Sequence, residues 1–107
     1  MEELIEAKAF FSHIRPELRA FVTAMEDEMR ANDHKGKDGW KHKDMDQLFT
    51  WLLDEVHELH EAMTKNRTQK ERAHFLEDVQ GETADVANIA AFIFDVMGRI
   101  KNAQDQA

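Results

Sequence analysis

Residues Asp44 to Lys65 can bury an apolar face only by burying carboxylates with it. The stretch has the period of one long amphipathic helix, with Asp44 placed to cap its N-terminus. With Glu55 set at zero and about 100° per residue, Leu48, Leu52, Leu59 and Met63 fall within about 80° on one side. Trp51 and Ala62 fall within about 40° on the other, so Glu55 points along the apolar stripe and Glu58 sits at its edge beside Trp51. A carboxylate aimed into a core is costly unless its charge is compensated.

The same feature recurs downstream in Gly81-Glu82-Thr83-Ala84-Asp85-Val86-Ala87-Asn88. Relative to Glu82, Val86, Ile89, Ile93, Met97 and Ile100 lie within about 60°, and Asp85 lies about 60° away beside Phe92 and Val96. Two helices therefore each carry an acidic (i, i+3) pair on or beside the face to be buried. Packing those faces together brings four carboxylates to one place, a set that favours a hard divalent cation with oxygen ligands. The number of such pairs carries no signal: 22 acidic residues in 107 give roughly four by chance, and the chain has four. Their placement on apolar arcs is what distinguishes Glu55/Glu58 and Glu82/Asp85 from Glu3/Glu6 and Glu58/Glu61.

At these residues the chain resembles a family. Glu55-Val56-His57-Glu58 and Glu82-Thr83-Ala84-Asp85, with 23 residues between the pairs, are similar to the ExxE…ExxD signature of the MazG-like all-α nucleoside-triphosphate pyrophosphohydrolases. The resemblance is strongest from Trp40 to Met97. It implies Mg²⁺-dependent cleavage of a nucleoside triphosphate between its α- and β-phosphates, giving a monophosphate and pyrophosphate, with Mn²⁺ as a substitute metal. By position and by this resemblance, Glu55, Glu58, Glu82 and Asp85 are the expected metal ligands and catalytic carboxylates. Metal there would neutralise charge on the leaving pyrophosphate and activate the attacking water.

The chain has 107 residues, enough for one domain with a single core, spanning 1–107. One Pro, four Gly and no strand-period segment indicate an all-α fold, and the resemblance implies a four- to five-helix bundle of the pyrophosphohydrolase type. No apolar run reaches membrane-spanning length, the N-terminus lacks a signal layout, and there is no Cys for a disulfide or thiolate metal site. A cytoplasmic protein without membrane attachment is expected. The net charge of −8 argues against a nucleic-acid backbone binder.

Charge is unevenly distributed. Asn32 to Lys43 holds four Lys, two Asp and two His, a local +2 against −10 for the rest. A basic segment opposite an acidic metal site suits a polyanion arriving with Mg²⁺, and a solvated loop is the competing reading. Within it Lys35 is a candidate phosphate contact, and Trp40 either stacks on a base or plugs the bundle mouth. His34-Lys35-Gly36 followed by Trp40 is also similar to phage-type members of the family. Asn88, one turn after Asp85 and at the cleft edge, is a candidate hydrogen-bond partner for sugar or phosphate, with a plain helix-surface position as the competing reading.

Glu2 to about His13 is expected to form a first helix, broken at Arg15-Pro16. Leu18, Phe21, Val22, Met25 and Met29 give a second helix its stripe, with Glu26, Asp27 and Glu28 on a solvated face. Asn66 to His74 is a polar, basic connection, whose Lys and Arg either reach the outer phosphates or are simply solvated. Gly81 suggests a bend or close packing beside Glu82. The last helix, Glu82 to Lys101, is apolar nearly all round, which implies a homodimer or homotetramer with Ala87, Ala91 and Phe94 near the interface. Residues 102–107 are expected to fray.

Two other functional classes fit parts of this pattern. A di-iron carboxylate bundle would use Glu-x-x-His pairs, and Glu71-Arg72-Ala73-His74 and Asp54-Glu55-Val56-His57 offer poor versions of them, with His57 about 160° from Glu55 on the wheel. A helical interaction module would neutralise the buried acids with a partner's cations, since the buried arcs here supply none.

Overall fold

The computed structural model describes residues 11–33 and 39–106. All regular structure among them is helical: α1 (Pro16–Ala31), a 3₁₀ turn (Gly39–His42), α2 (Met45–Thr64), a single-turn α3 (Gln69–Arg72) and α4 (Phe75–Gln106). Most of the expected first helix, Glu2 to Phe10, lies outside the described residues, as do Lys35 and Gly36.

Local chemistry accounts for the helix starts. Arg15 has extended backbone (ψ 139°), as the residue before a proline should, and Pro16 opens α1 where its missing N–H costs nothing. Asp44 caps α2 as anticipated: its carboxylate accepts the Gln47 N–H, and the Gln47 side chain accepts the Asp44 N–H. Thr68 and Glu71 form the same reciprocal cap on α3. The basic connection is therefore partly helical and locally ordered.

The last helix is longer than the sequence suggested. It begins at Phe75 rather than Glu82, runs through Gly81 without interruption and includes residues 102–106. A Cβ built on Gly81 would meet only Glu28 Oε1, at 3.9 Å, so neither a bend nor tight packing requires glycine there. The cost of one glycine, about 1 kcal/mol, is small beside a helix of 32 residues held by packing. No helix among the described residues is long and apolar enough to cross a membrane.

α2 and α4 form an antiparallel hairpin, and α1 lies across α4. At the open end of the hairpin, Leu48 of α2 packs with Ile89 and Phe92 of α4, joined by Met29, Trp40, Trp51 and Leu52. Leu48 is fully buried, so truncating it to Ala should cost about 2–5 kcal/mol. Asn88 ties the third helix in: its Nδ2 donates to the Met25 carbonyl of α1 at 3.0 Å. At the turn end, Ala62 is the only buried apolar residue among the described residues, and Ala84 is buried at the level of the second acidic pair. The acidic pairs sit between these two ends.

Candidate metal centre

The spacing that put carboxylates on apolar arcs brings them together in space. Glu55 on α2 and Glu82 and Asp85 on α4 each offer an oxygen, and the three atoms lie within 4.8 Å of one another. Glu58 is exposed and adjoins the group rather than completing that set, and its charge acts on both Glu55 and Glu82. Glu55, Glu58 and Glu82 make no ion pair among the described residues.

Burial and crowding act on the cluster in the same direction. Partial burial, then the charges of Glu58 and Asp85, push the Glu55 carboxyl up to about 7, against a weaker opposing pull from the Trp51 N–H. That indole donates to Glu55 Oε1 at 3.3 Å. Glu82 is raised for the same reasons, burial first and then Glu58 and Asp85. Meanwhile Glu55 Oε2 and Glu82 Oε2 are buried with no hydrogen-bond partner. Buried acceptors are nearly always satisfied, so two orphaned carboxylate oxygens in one cluster call for a cation or a proton.

The cluster opens into a cleft of about 640 Å³. Glu55, Glu58 and Asp85 line it, while Glu82 is not among its lining residues. Trp40, Trp51 and Phe92 form an apolar wall, and Lys43 contributes a positive charge at the rim. Trp40 stacks on Phe92, and its indole N–H donates to Asp95 at 3.3 Å. Asn88 is only 5% exposed and presents an unpartnered Oδ1 at the cleft, so it is not a helix-surface residue. With one donor spent on Met25, its free oxygen can accept from a hydroxyl but not bond a phosphate oxygen. A second, more open hollow of about 550 Å³ shares Lys43 and Trp51 but contains none of the four acids.

Two residues escaped the sequence reading. Glu28, assigned with Glu26 and Asp27 to a solvated face, is half-buried and lines the cleft. Its angular position gave a signal: seven residues after Phe21, it lies about 20° from it and so shares the apolar arc of α1. Arg67 is neither a solvated nor a phosphate-reaching side chain; it is buried and bound to Asp78. Elsewhere the surface assignments hold. His57 and Glu61 face solvent and lie 3.4 Å apart, and Glu71 is engaged in the α3 cap, leaving no Glu-x-x-His pair at the cluster.

Comparison with protein families, curated proteins and solved structures finds no match to this chain.

Proposed function

We propose that the cleft is a divalent-cation and nucleotide site, and that the chain is a Mg²⁺-dependent nucleoside-triphosphate pyrophosphohydrolase of the MazG-like all-α type. The observation that carries the reading is the pair of buried, unpartnered oxygens, Glu55 Oε2 and Glu82 Oε2, within a carboxylate set spanning 4.8 Å. An all-oxygen donor set of this charge fits Mg²⁺ or Mn²⁺ and offers nothing to a softer metal. Glu55, Glu82 and Asp85 would hold the cation, with Glu58 beside them. When bound, the cation supplies charge neutralisation at the phosphates and lowers the pKa of water.

The chain's own residues provide the rest. Trp40, Trp51 and Phe92 give the nucleoside a dry wall next to the lining carboxylates. Asn88 Oδ1 accepts from a sugar hydroxyl, and Lys43 meets phosphate at the rim. The resemblance of the two motifs to the family supports cleavage between the α- and β-phosphates. On this reading the substrate is a nucleoside triphosphate in the cytoplasm, and neither nucleic acid nor membrane is a partner.

A homodimer or homotetramer belongs to the same proposal. Phe49, Leu53 and Val56 are all exposed and span about 60° of α2, at least about 100° from both Glu55 and Glu58. On the back of α4, Phe94 is 82% and Leu76 74% exposed. Only five apolar side chains are buried among the described residues, and the radius of gyration is 16.9 Å where a compact chain of this length has about 13 Å. A second copy is the natural cover for these faces. They also favour the rival reading of an interaction module.

The test is product analysis by ion exchange after incubation with a nucleotide panel and Mg²⁺. Monophosphate plus pyrophosphate is the expected outcome. Diphosphate plus orthophosphate would remove the α/β-cleavage assignment, and no turnover across the panel would favour the interaction module.

A further inference from the structure

Arg67 is a buried cation that the cleft does not use. Its side chain is 5% exposed, and it joins three elements at the turn end of the hairpin. Nη1 donates to Asp78 of α4 at 2.7 Å, and Nη2 donates to the Ala62 carbonyl of α2 at 3.0 Å. A longer contact of 3.5 Å reaches the Glu71 carbonyl of α3, and the guanidinium lies 5.3 Å from the Phe75 ring centroid. Nε is left buried without a partner, so the outer fork of the guanidinium sets the geometry.

The register of these contacts gives them a consequence. Ala62 is four residues after Glu58, and Asp78 four residues before Glu82, so each anchor lies about one helical turn from an acidic pair. The carboxylates repel one another and push α2 from α4. At the open end Leu48, Ile89 and Phe92 resist that force; beyond the acidic pairs toward the turn, Ala62 is the only buried apolar residue among the described residues. A lysine is a poor replacement, because its single nitrogen lacks the rigid planar fork whose two separate nitrogens reach Asp78 and the Ala62 carbonyl.

We propose that Arg67, paired with Asp78, is a positioning residue for the acidic centre: it holds the turn of Glu58 against the turn of Glu82 and thereby sets cation affinity without touching the cation. The proposal rests on the cation-site reading above.

Mn²⁺ alone serves as the probe, titrated by calorimetry at a temperature where circular dichroism shows each variant folded. Arg67→Met should weaken Mn²⁺ binding about tenfold, as loss of supporting contacts around metal ligands does. Arg67→Lys should fail to restore it, and Asp78→Asn should weaken it severalfold. The Arg67→Met/Asp78→Asn double variant should bind no worse than Arg67→Met, because the two act as one unit. Arg30→Met, which breaks the exposed Arg30–Glu26 pair, should bind like wild type. If Arg67→Met does not fold, Asp78→Asn decides, since it keeps the Arg67 contact to Ala62. Wild-type Mn²⁺ affinity in the folded Arg67 and Asp78 variants would overturn the positioning role while leaving the cation site standing. Absence of Mn²⁺ binding by wild type would overturn both.

Discussion

Trp40 lies flat on Phe92, with ring centroids 4.2 Å apart and planes 11° from parallel, and so closes the core at one wall of the cleft. The contact joins the 3₁₀ turn to α4 and is reinforced by the indole bond to Asp95, which also accepts from Arg99 at 2.5 Å. Of the two roles the sequence allowed for Trp40, closing the bundle is met by these contacts; stacking on a base would use the ring's other side. Trp40→Ala should lower unfolding free energy by about 2–3 kcal/mol in urea titrations without ligand, less than for a fully buried tryptophan. Trp40→Phe, which keeps a stacking ring but loses the N–H, should recover more than half of that.

The raised Glu55 carboxyl fixes the sign of the pH dependence. Its folded value of about 7 exceeds the ordinary 4.5, so between those limits the folded state holds more protons than the unfolded state. This contribution is fully present below about pH 4.5 and is lost as pH rises through 7. Glu82, also raised, adds in the same direction. In EDTA, wild type should lose on the order of 1–2 kcal/mol from pH 5 to pH 8, after discounting for solvent screening at a partly exposed group. Glu55→Gln should flatten that slope. Stability rising with pH across the window would contradict the cluster electrostatics.

Neutralising one acid should trade metal binding for apo stability. Glu55→Gln and Glu82→Gln keep shape while removing repulsion, so each should melt at or above wild type in EDTA. In Mg²⁺ the order should invert, because a cation bound only by the folded state stabilises it by about 2.7 kcal/mol at a hundredfold excess over Kd. Thermal melts of the three proteins in both conditions measure this. Destabilised variants in EDTA, with no effect of Mg²⁺ on wild type, would remove the metal site.

How much of this centre the sequence disclosed depended on whether a residue broke a burial rule. Glu55 and Glu82 were visible because acids on an apolar arc are energetically anomalous, and the arc itself gave their direction. Glu28 obeyed the same geometry but was hidden among Glu26 and Asp27, where a run of acids suggested a solvated face. Arg67 was not visible at all: its partners, a carbonyl five residues back and a carboxylate eleven residues on, meet only through the turn around α3. The helical class, the break at Pro16 and the Asp44 cap followed from local rules. The apolar pattern from Phe75 through Val79 led into the last helix, but Gly81 suggested a bend between them. The structure runs the helix without interruption from Phe75 because packing outweighs the cost of one glycine.

The exposed stripe on α2 gives an expectation for assembly. Sedimentation at low micromolar concentration should show wild type as a dimer or larger, and Leu53→Glu or Phe94→Glu should shift it toward a 12.5 kDa monomer. Of the interface residues expected from sequence, Phe94 is open to solvent while Ala87 and Ala91 are half-buried. A wild-type monomer at that concentration would leave both apolar faces to a different partner.

α4 also outlasts the core that supports it. Among the described residues, the last one of α4 packed on the central cluster is Val96, yet the helix continues to Gln106, about 15 Å farther at 1.5 Å per residue. A helical end of that length without packing is marginal in water, so where no second copy covers it its amides should exchange rapidly. Met97 and Ile100 are exposed there, and a neighbouring subunit covering them would slow that exchange. Residues 97–106 therefore form a built-in gauge: amide protection along this segment, followed against protein concentration, reports whether and where copies meet, independently of any activity in the cleft.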